Sequence, residues 1–321
     1  MELILKLRRE MLEAFKEVDP ELVWIWPYDQ GGCICEKCNP WGCNGFIKSG
    51  KAEAGLIKEI YPNAKTVVST WCFDYFIEGE YDGFRKAIES GELDWADYLM
   101  IDAHDQFPPY VLKNGVPGGL PALNFTEISM YKMHPWGGFG ANPLPAHIQQ
   151  MWDTSGHILS GGFPYSEGIF EDLNKAICLQ LYWDPDRKVS DIVNEYTHYE
   201  YGSNDDLIDK ACYLMESDQN HWTESQATPD YKLHNTANAA ECLELMQKAS
   251  ENIPNWVKDS WRWKILFIRA KLDAALAISS GKTTPEIDAM FEELSDIYYA
   301  DNAELAVCPP SVRHLNRIFG K

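Results

Sequence analysis

The sequence contains no run approaching the ~18 consecutive apolar residues of a membrane span. Residues 1–20 also lack the apolar core of a signal peptide. Positive charge is scarce: 28 Lys and Arg stand against 49 Asp and Glu, a formal net charge of −21. That balance argues against nucleic acid or an anionic membrane as partner, because the attraction that drives such binding becomes repulsion. Phosphate-binding glycine motifs are missing too. Gly137-Gly138-Phe139-Gly140 has neither the GxGxxG spacing nor the trailing Lys of a phosphate loop. His104 and His134 lack the paired spacing of a metal-dependent hydrolase. Nine cysteines cannot all pair with one another. Together with the missing signal peptide, this leads to the expectation of a reducing, cytoplasmic setting for the sequence as given.

What is present is an ordinary globular composition. The 321 residues are 45% hydrophobic and 24% charged, enough for one large domain or two average ones. Twelve Trp and 16 Tyr form a high aromatic load, which suits carbohydrate binding and equally suits a large core.

Leu3, Ile4, Leu7, Met11, Leu12 and Phe15 trace one face of an amphipathic N-terminal helix. Next comes a pattern that recurs. Residues 23–26 are a short apolar run that reads as a buried strand, ended by Pro27, which cannot donate to a sheet ladder. Helices are expected over 46–61 and 82–90, and another over 145–152. Further strands are expected over 65–73, 95–101, 123–126 and 157–163. Strands alternating with helices imply parallel βα units, whose functional groups collect at the carboxyl ends of the strands. Each of these strands is followed by an acidic residue: Asp29, Asp74, Asp102, Glu127 and Glu167. Aromatic and histidine residues lie among them, notably Trp26, Tyr28, Trp71, His104, His134, Trp136 and Tyr165.

A closed (β/α)8 barrel of the TIM type needs eight strands in ~250 residues. The expectation is therefore a partial barrel comprising only the last five βα units over residues 1–188, with an open, smaller sheet as the alternative. Residues 189–321 read as an all-helical domain, with helices over 190–201, 205–217, 234–252, 256–279 and 285–300. Ser190 and Thr284 are the expected caps, Gly202 the left-handed stop, and Trp256, Trp261 and Trp263 the core anchors.

The stretch Trp26-Pro27-Tyr28-Asp29-Gln30-Gly31-Gly32, the cysteines that follow it, and Tyr165-Ser166-Glu167-Gly168 running into a helix resemble the carboxyl-terminal half of bacterial glycoside hydrolases. The likeness is to enzymes with a barrel followed by a helical domain, such as the α-glucuronidases and related polysaccharide-degrading proteins, and it covers roughly residues 20–300. It implies an inverting reaction in which an Asp and a Glu near the ends of late strands act on water. By topology those positions are Asp102, or Asp105, and Glu127.

Glycoside hydrolysis needs two carboxyl groups, one protonated to assist the leaving group and one ionised. Asp29 is the expected general acid, because neighbouring aromatics would raise its pKa by desolvation. Asp102 and Glu127 complete the catalytic set, with Trp26, Tyr28, Trp71, Asp74, His104, Asp105, His134, Trp136, Tyr165 and Glu167 as substrate contacts. The alternative is a non-catalytic glycan-binding or scaffold protein derived from such an enzyme. Self-association is expected of a barrel with uncovered edges. Catalysis needs no cofactor in either reading. Cys33, Cys35, Cys38 and Cys43 crowd into 11 residues and can supply four thiolates to a structural Zn²⁺, with free thiols or a redox pair as the other readings.

Overall fold

The computed structural model describes residues 1–27, 32–103, 106–128, 133–134, 141–166, 171–218, 220–221, 236–282 and 284–299. In chain order the elements are α1 (Glu2–Ala14), β1 (Leu22–Ile25), α2 (Phe46–Ile60), β2 (Lys65–Ser69), α3 (Glu80–Glu89), β3 (Tyr98–Ala103), α4 (Pro109–Asn114) and β4 (Ala122–Thr126). They continue with β5 (Met133–His134), α5 (Pro145–Ser155), β6 (Leu159–Gly162), α6 (Asp172–Trp183), α7 (Val189–Tyr201) and α8 (Leu207–Ser217). The last are β7 (Asn220–His221), α9 (Thr236–Asn252), α10 (Asn255–Lys258), α11 (Trp261–Ile278) and α12 (Pro285–Tyr299). The chain forms two compact units, Met1–Thr126 with Thr154–Phe163, and Glu127–Asp153 with Pro164–Lys321.

The first unit is built on a five-stranded sheet in the order β1-β2-β3-β4-β6. Every pairing in it is parallel. Register assigns the side chains to two faces, because paired residues point the same way and neighbours along a strand alternate. Ile25, Val68, Leu99 and Ile101 share one face and are fully buried. There α2 lies close, since Gly50 leaves no side chain between it and Ile25 and Trp95. Trp24, Val67, Tyr98, Met100, Asp102 and Phe125 share the other face. The sheet curls toward this second face. Trp24 on one edge strand meets Phe163, just beyond the other edge strand, with ring centroids 4.6 Å apart. A flat sheet would hold those strands about 19 Å apart, four steps of ~4.8 Å.

Sequence and structure differ in places with identifiable causes. Residues 95–97 precede β3 as a turn, where the Asp97 carboxylate accepts from Thr66 N at 2.8 Å. Residues 70–73 leave the second strand, because Cys72 takes a left-handed backbone with φ 57°. The expected apolar face of α1 forms, but only its Leu12 is buried.

In the second unit α8, α9, α11 and α12 enclose a core that includes Cys212, Met215, Met246, Leu272 and Phe291. A second cluster, among them Ile148, Ile177, Leu181 and Ile192, gathers α5, α6 and α7. Arg269 crosses the chain order: fully buried, it pairs with Asp273 and donates to Ala141 O at 2.7 Å and Asn142 Oδ1 at 2.9 Å. The expected cap Ser190 is displaced by one turn position, since α7 begins at Val189, whose amide donates to Gln149 Oε1 at 3.0 Å. The helix expected over 256–279 divides at Ser260, whose hydroxyl accepts from Trp263 N and starts α11. This leaves Trp256 64% exposed and Trp261 36% exposed, while Trp263 is buried at 2% and packs on Tyr201 and Phe267. The core anchor is thus Trp263 alone of the three. No helix among the described residues is long and apolar enough to cross a membrane.

Candidate functional site

The curled face of the sheet collects aromatic rings toward the carboxyl ends of the strands. Trp26 follows β1 and packs 5.3 Å from Trp71 and 5.0 Å from Phe125, and Trp71 meets Phe125 edge-on at 5.6 Å. Phe125 arrives there by strand parity, in register with Asp102, whereas Trp26 and Trp71 stand just past the ends of β1 and β2. Edge-to-face packing of this kind contributes about 0.5–1.5 kcal/mol per pair beyond the area buried.

Asp102 lies on the same face, in register with Phe125 on β4. It is half-buried, and burial pushes its carboxyl group up to about 7. The amide of Cys72 donates to its Oδ2 at 3.3 Å, a contact that favours the ionised form without reversing the effect of burial. Such a carboxyl is poised to hold or release a proton near neutral pH. The loop after β2 presents this amide from a strained backbone, with Cys72 at φ 57° and Asp74 at φ 60°. Non-glycine residues rarely adopt that region, and such outliers gather at functional sites.

Asp74 frames the loop. Its Oδ1 accepts from Glu80 N at 2.6 Å and from Tyr81 N at 3.4 Å, at the start of α3. Glu80 answers through Oε2, which accepts from Asp74 N at 3.1 Å, while its Oε1 accepts from Gly42 N at 2.7 Å. The buried Glu80 thereby ties the cysteine-bearing connection after β1 to the loop after β2. Sequence reading passed over Glu80 and Tyr81. Tyr81 is fully buried, with its hydroxyl 2.9 Å from Thr70 Oγ1, and burial holds its pKa well above the ordinary value.

The other expected carboxylate, Glu127, belongs to the second unit and is buried. It forms a parallel bridge with Tyr165, and Ile128 N donates to Tyr165 O at 2.9 Å. Near it stands Glu171, to which the sequence analysis assigns no role. Ser166 Oγ donates to Glu171 Oε2 at 2.9 Å. Burial raises the Glu171 carboxyl to about 7, with the negative charge of Glu127 adding to the rise. Its position directly before α6 was the available signal.

Cys33, Cys35 and Cys38 bring their sulfurs within 4.8 Å of one another, a group able to hold a metal ion. Cys43 does not join them. Its thiol faces Pro40 O at 3.8 Å and lies against Gly83 of α3. The expectation of four converging thiolates is therefore corrected to three, because the chain turns Cys43 toward α3.

Tyr28, Asp29, His104, Asp105, Trp136 and Glu167 lie outside the described residues, and of His134 only the backbone is described. No protein-family model matches the chain, and comparison with curated proteins yields no match.

Proposed function

We propose that this chain is a glycoside hydrolase acting on a polysaccharide or oligosaccharide by carboxylate acid–base catalysis. In this reading the five parallel strands are the last five units of a (β/α)8 barrel. The observation that carries it is the placement of Asp102, a carboxyl group raised to about 7, on one sheet face with Trp26, Trp71 and Phe125. Aromatic faces stack on the C–H surfaces of a pyranose, and a carboxyl that is protonated near neutrality can protonate a departing glycosidic oxygen. This reading moves the general-acid role from Asp29, where the sequence places it, to Asp102, with Asp29 and Glu127 as the further members of the catalytic set. A cytoplasmic setting belongs to the same reading and rests on the odd number of cysteines, nine.

One observation favours a second reading, a glycan-binding or scaffold protein. Among the described strand residues on the inward face, Asp102 is the one carboxylate, whereas hydrolysis requires two. Release of reducing ends from a set of uronic-acid and neutral glycosides separates the readings. Turnover supports the hydrolase; binding to the same glycans without turnover selects the scaffold.

A further inference from the structure

The connection between β1 and α2 is organised by an indole. Gly32 and Gly45 press their backbones against the Trp41 ring, so closely that a Cβ at either would come within 1.9 Å or 2.4 Å of it. Both flanks of the cysteine group are thereby held, since Cys33 adjoins Gly32 and Gly45 N donates to Cys38 O at 3.3 Å. Between them the chain reverses tightly. Cys38 N and Asn39 N both donate to Cys35 O, at 2.9 Å and 3.0 Å.

Three thiolates at ~2.3 Å from a tetrahedral Zn²⁺ sit about 3.8 Å apart. The sulfurs of Cys33, Cys35 and Cys38 already lie within 4.8 Å, so closure on an ion takes a movement of about 1 Å or less. Cys43 offers no such route, being half-buried beside Gly83, where a Cβ would meet its sulfur at 2.4 Å. Cys33 and Cys35 are exposed, which leaves one side of the group open to solvent.

We infer that Cys33, Cys35 and Cys38 bind one Zn²⁺ through three thiolates, that Cys43 is not a ligand, and that the fourth position faces solvent. On binding, each thiol releases its proton to water. The resulting unit of one Zn²⁺ and three thiolates carries one net negative charge. The ammonium group of Lys48 donates to Lys37 O, in the turn between Cys35 and Cys38, at 3.2 Å. The ion closes the connection after β1 and takes no part in glycoside chemistry, so this inference stands independently of the sugar reading.

The test uses the full chain purified under reducing conditions. Metal analysis after dialysis against excess Zn²⁺ is expected to find about one ion per chain. Competition with a chromophoric chelator is expected to show unchanged affinity in Cys43→Ser and a loss of at least about tenfold in Cys35→Ser and Cys38→Ser, a ligand counting for no less than its outer-shell support. Substitution by Co²⁺ reads ligand number directly: thiolate-to-metal absorption should be identical in the parent and Cys43→Ser. Protection from alkylation, mapped by mass spectrometry on the unmutated protein, covers the case in which a variant fails to fold. Zn²⁺ should then shield Cys33, Cys35 and Cys38. No bound metal at micromolar excess, or equal loss in Cys43→Ser and Cys35→Ser, would overturn the assignment.

Discussion

Trp24 stands edge-on to Phe163, at 4.6 Å between ring centroids and 83° between planes. The contact joins the two ends of a five-stranded parallel sheet across its inner face, with Trp24 itself 41% exposed. Parallel sheets are ordinarily covered on both faces. Here helix α2 lies on the outer face, and on the inner face Trp26, Trp71 and Phe125 pack on one another. Replacing Phe125, which is buried and touches both tryptophans, with Ala is expected to lower stability by about 3–4 kcal/mol. Denaturant unfolding followed by tryptophan fluorescence checks this; a change below about 1 kcal/mol would mean that the rings do not form a packed core.

The acid–base proposal predicts that Asp29→Asn, Asp102→Asn and Glu127→Gln each lower turnover of a cleaved glycoside by at least about 100-fold. For Asp102 the pH profile adds a sharper criterion. With its carboxyl raised to about 7, the protonated form is lost above neutrality, so the rate should fall through pH 7 and that limb should vanish in Asp102→Asn. Folded variants with near-parental rates would remove these residues from the mechanism.

Trp71→Ala should weaken binding of the same glycans by roughly tenfold, a loss near 1.4 kcal/mol, as expected for an aromatic that carries contact area. Isothermal titration with a non-cleavable oligosaccharide is the measurement. Unchanged affinity in a variant with a native fold would place the sugar elsewhere.

Glu171 and Glu216 make stability depend on pH. Each is buried, and burial raises each carboxyl from 4.5 to about 7. The folded protein therefore holds protons that the unfolded chain releases. The stabilising contribution is complete below about pH 4.5 and is lost as pH rises through about 7. Stability should drop between pH 5.5 and pH 8 by about 1–3 kcal/mol per group. Glu171→Gln should reduce the slope, as read by melting temperature across that range. A parent protein equally stable at both pH values would contradict the assignment.

Glu80 binds two amides from separate loops, Gly42 N and Asp74 N. Removing its carboxylate in Glu80→Ala should cost about 1–3 kcal/mol, because both donors lose a buried partner. Hydrogen exchange is expected to quicken at both loops together. Quickening at only one would show that Glu80 does not couple them.

Local order was legible in the sequence wherever a single residue type dictates backbone geometry. Thr284 caps the last helix by accepting from Ile287 N, and Gly202 ends α7 in the left-handed region, both as the residue types demand. The β-branched and apolar runs placed all five strands of the sheet, with errors at their ends where Asp97 and Cys72 bend the chain. Period-two alternation was sufficient to put Asp102 and Phe125 on one face of the sheet. What local pattern does not contain is which neighbour a side chain meets. Trp256, Trp261 and Trp263 are equivalent as composition, but the Ser260 cap resets the helical phase, and only Trp263 then points into the core. Cys43 follows the other thiols in sequence yet faces α3, a consequence of the turn after Pro40 and the space left by Gly83. The environment of Asp102 was decided last of all. A carboxyl group shifts to about 7 only when a second loop and the adjoining strands withdraw water from it, and those groups lie about 30 residues away along the chain.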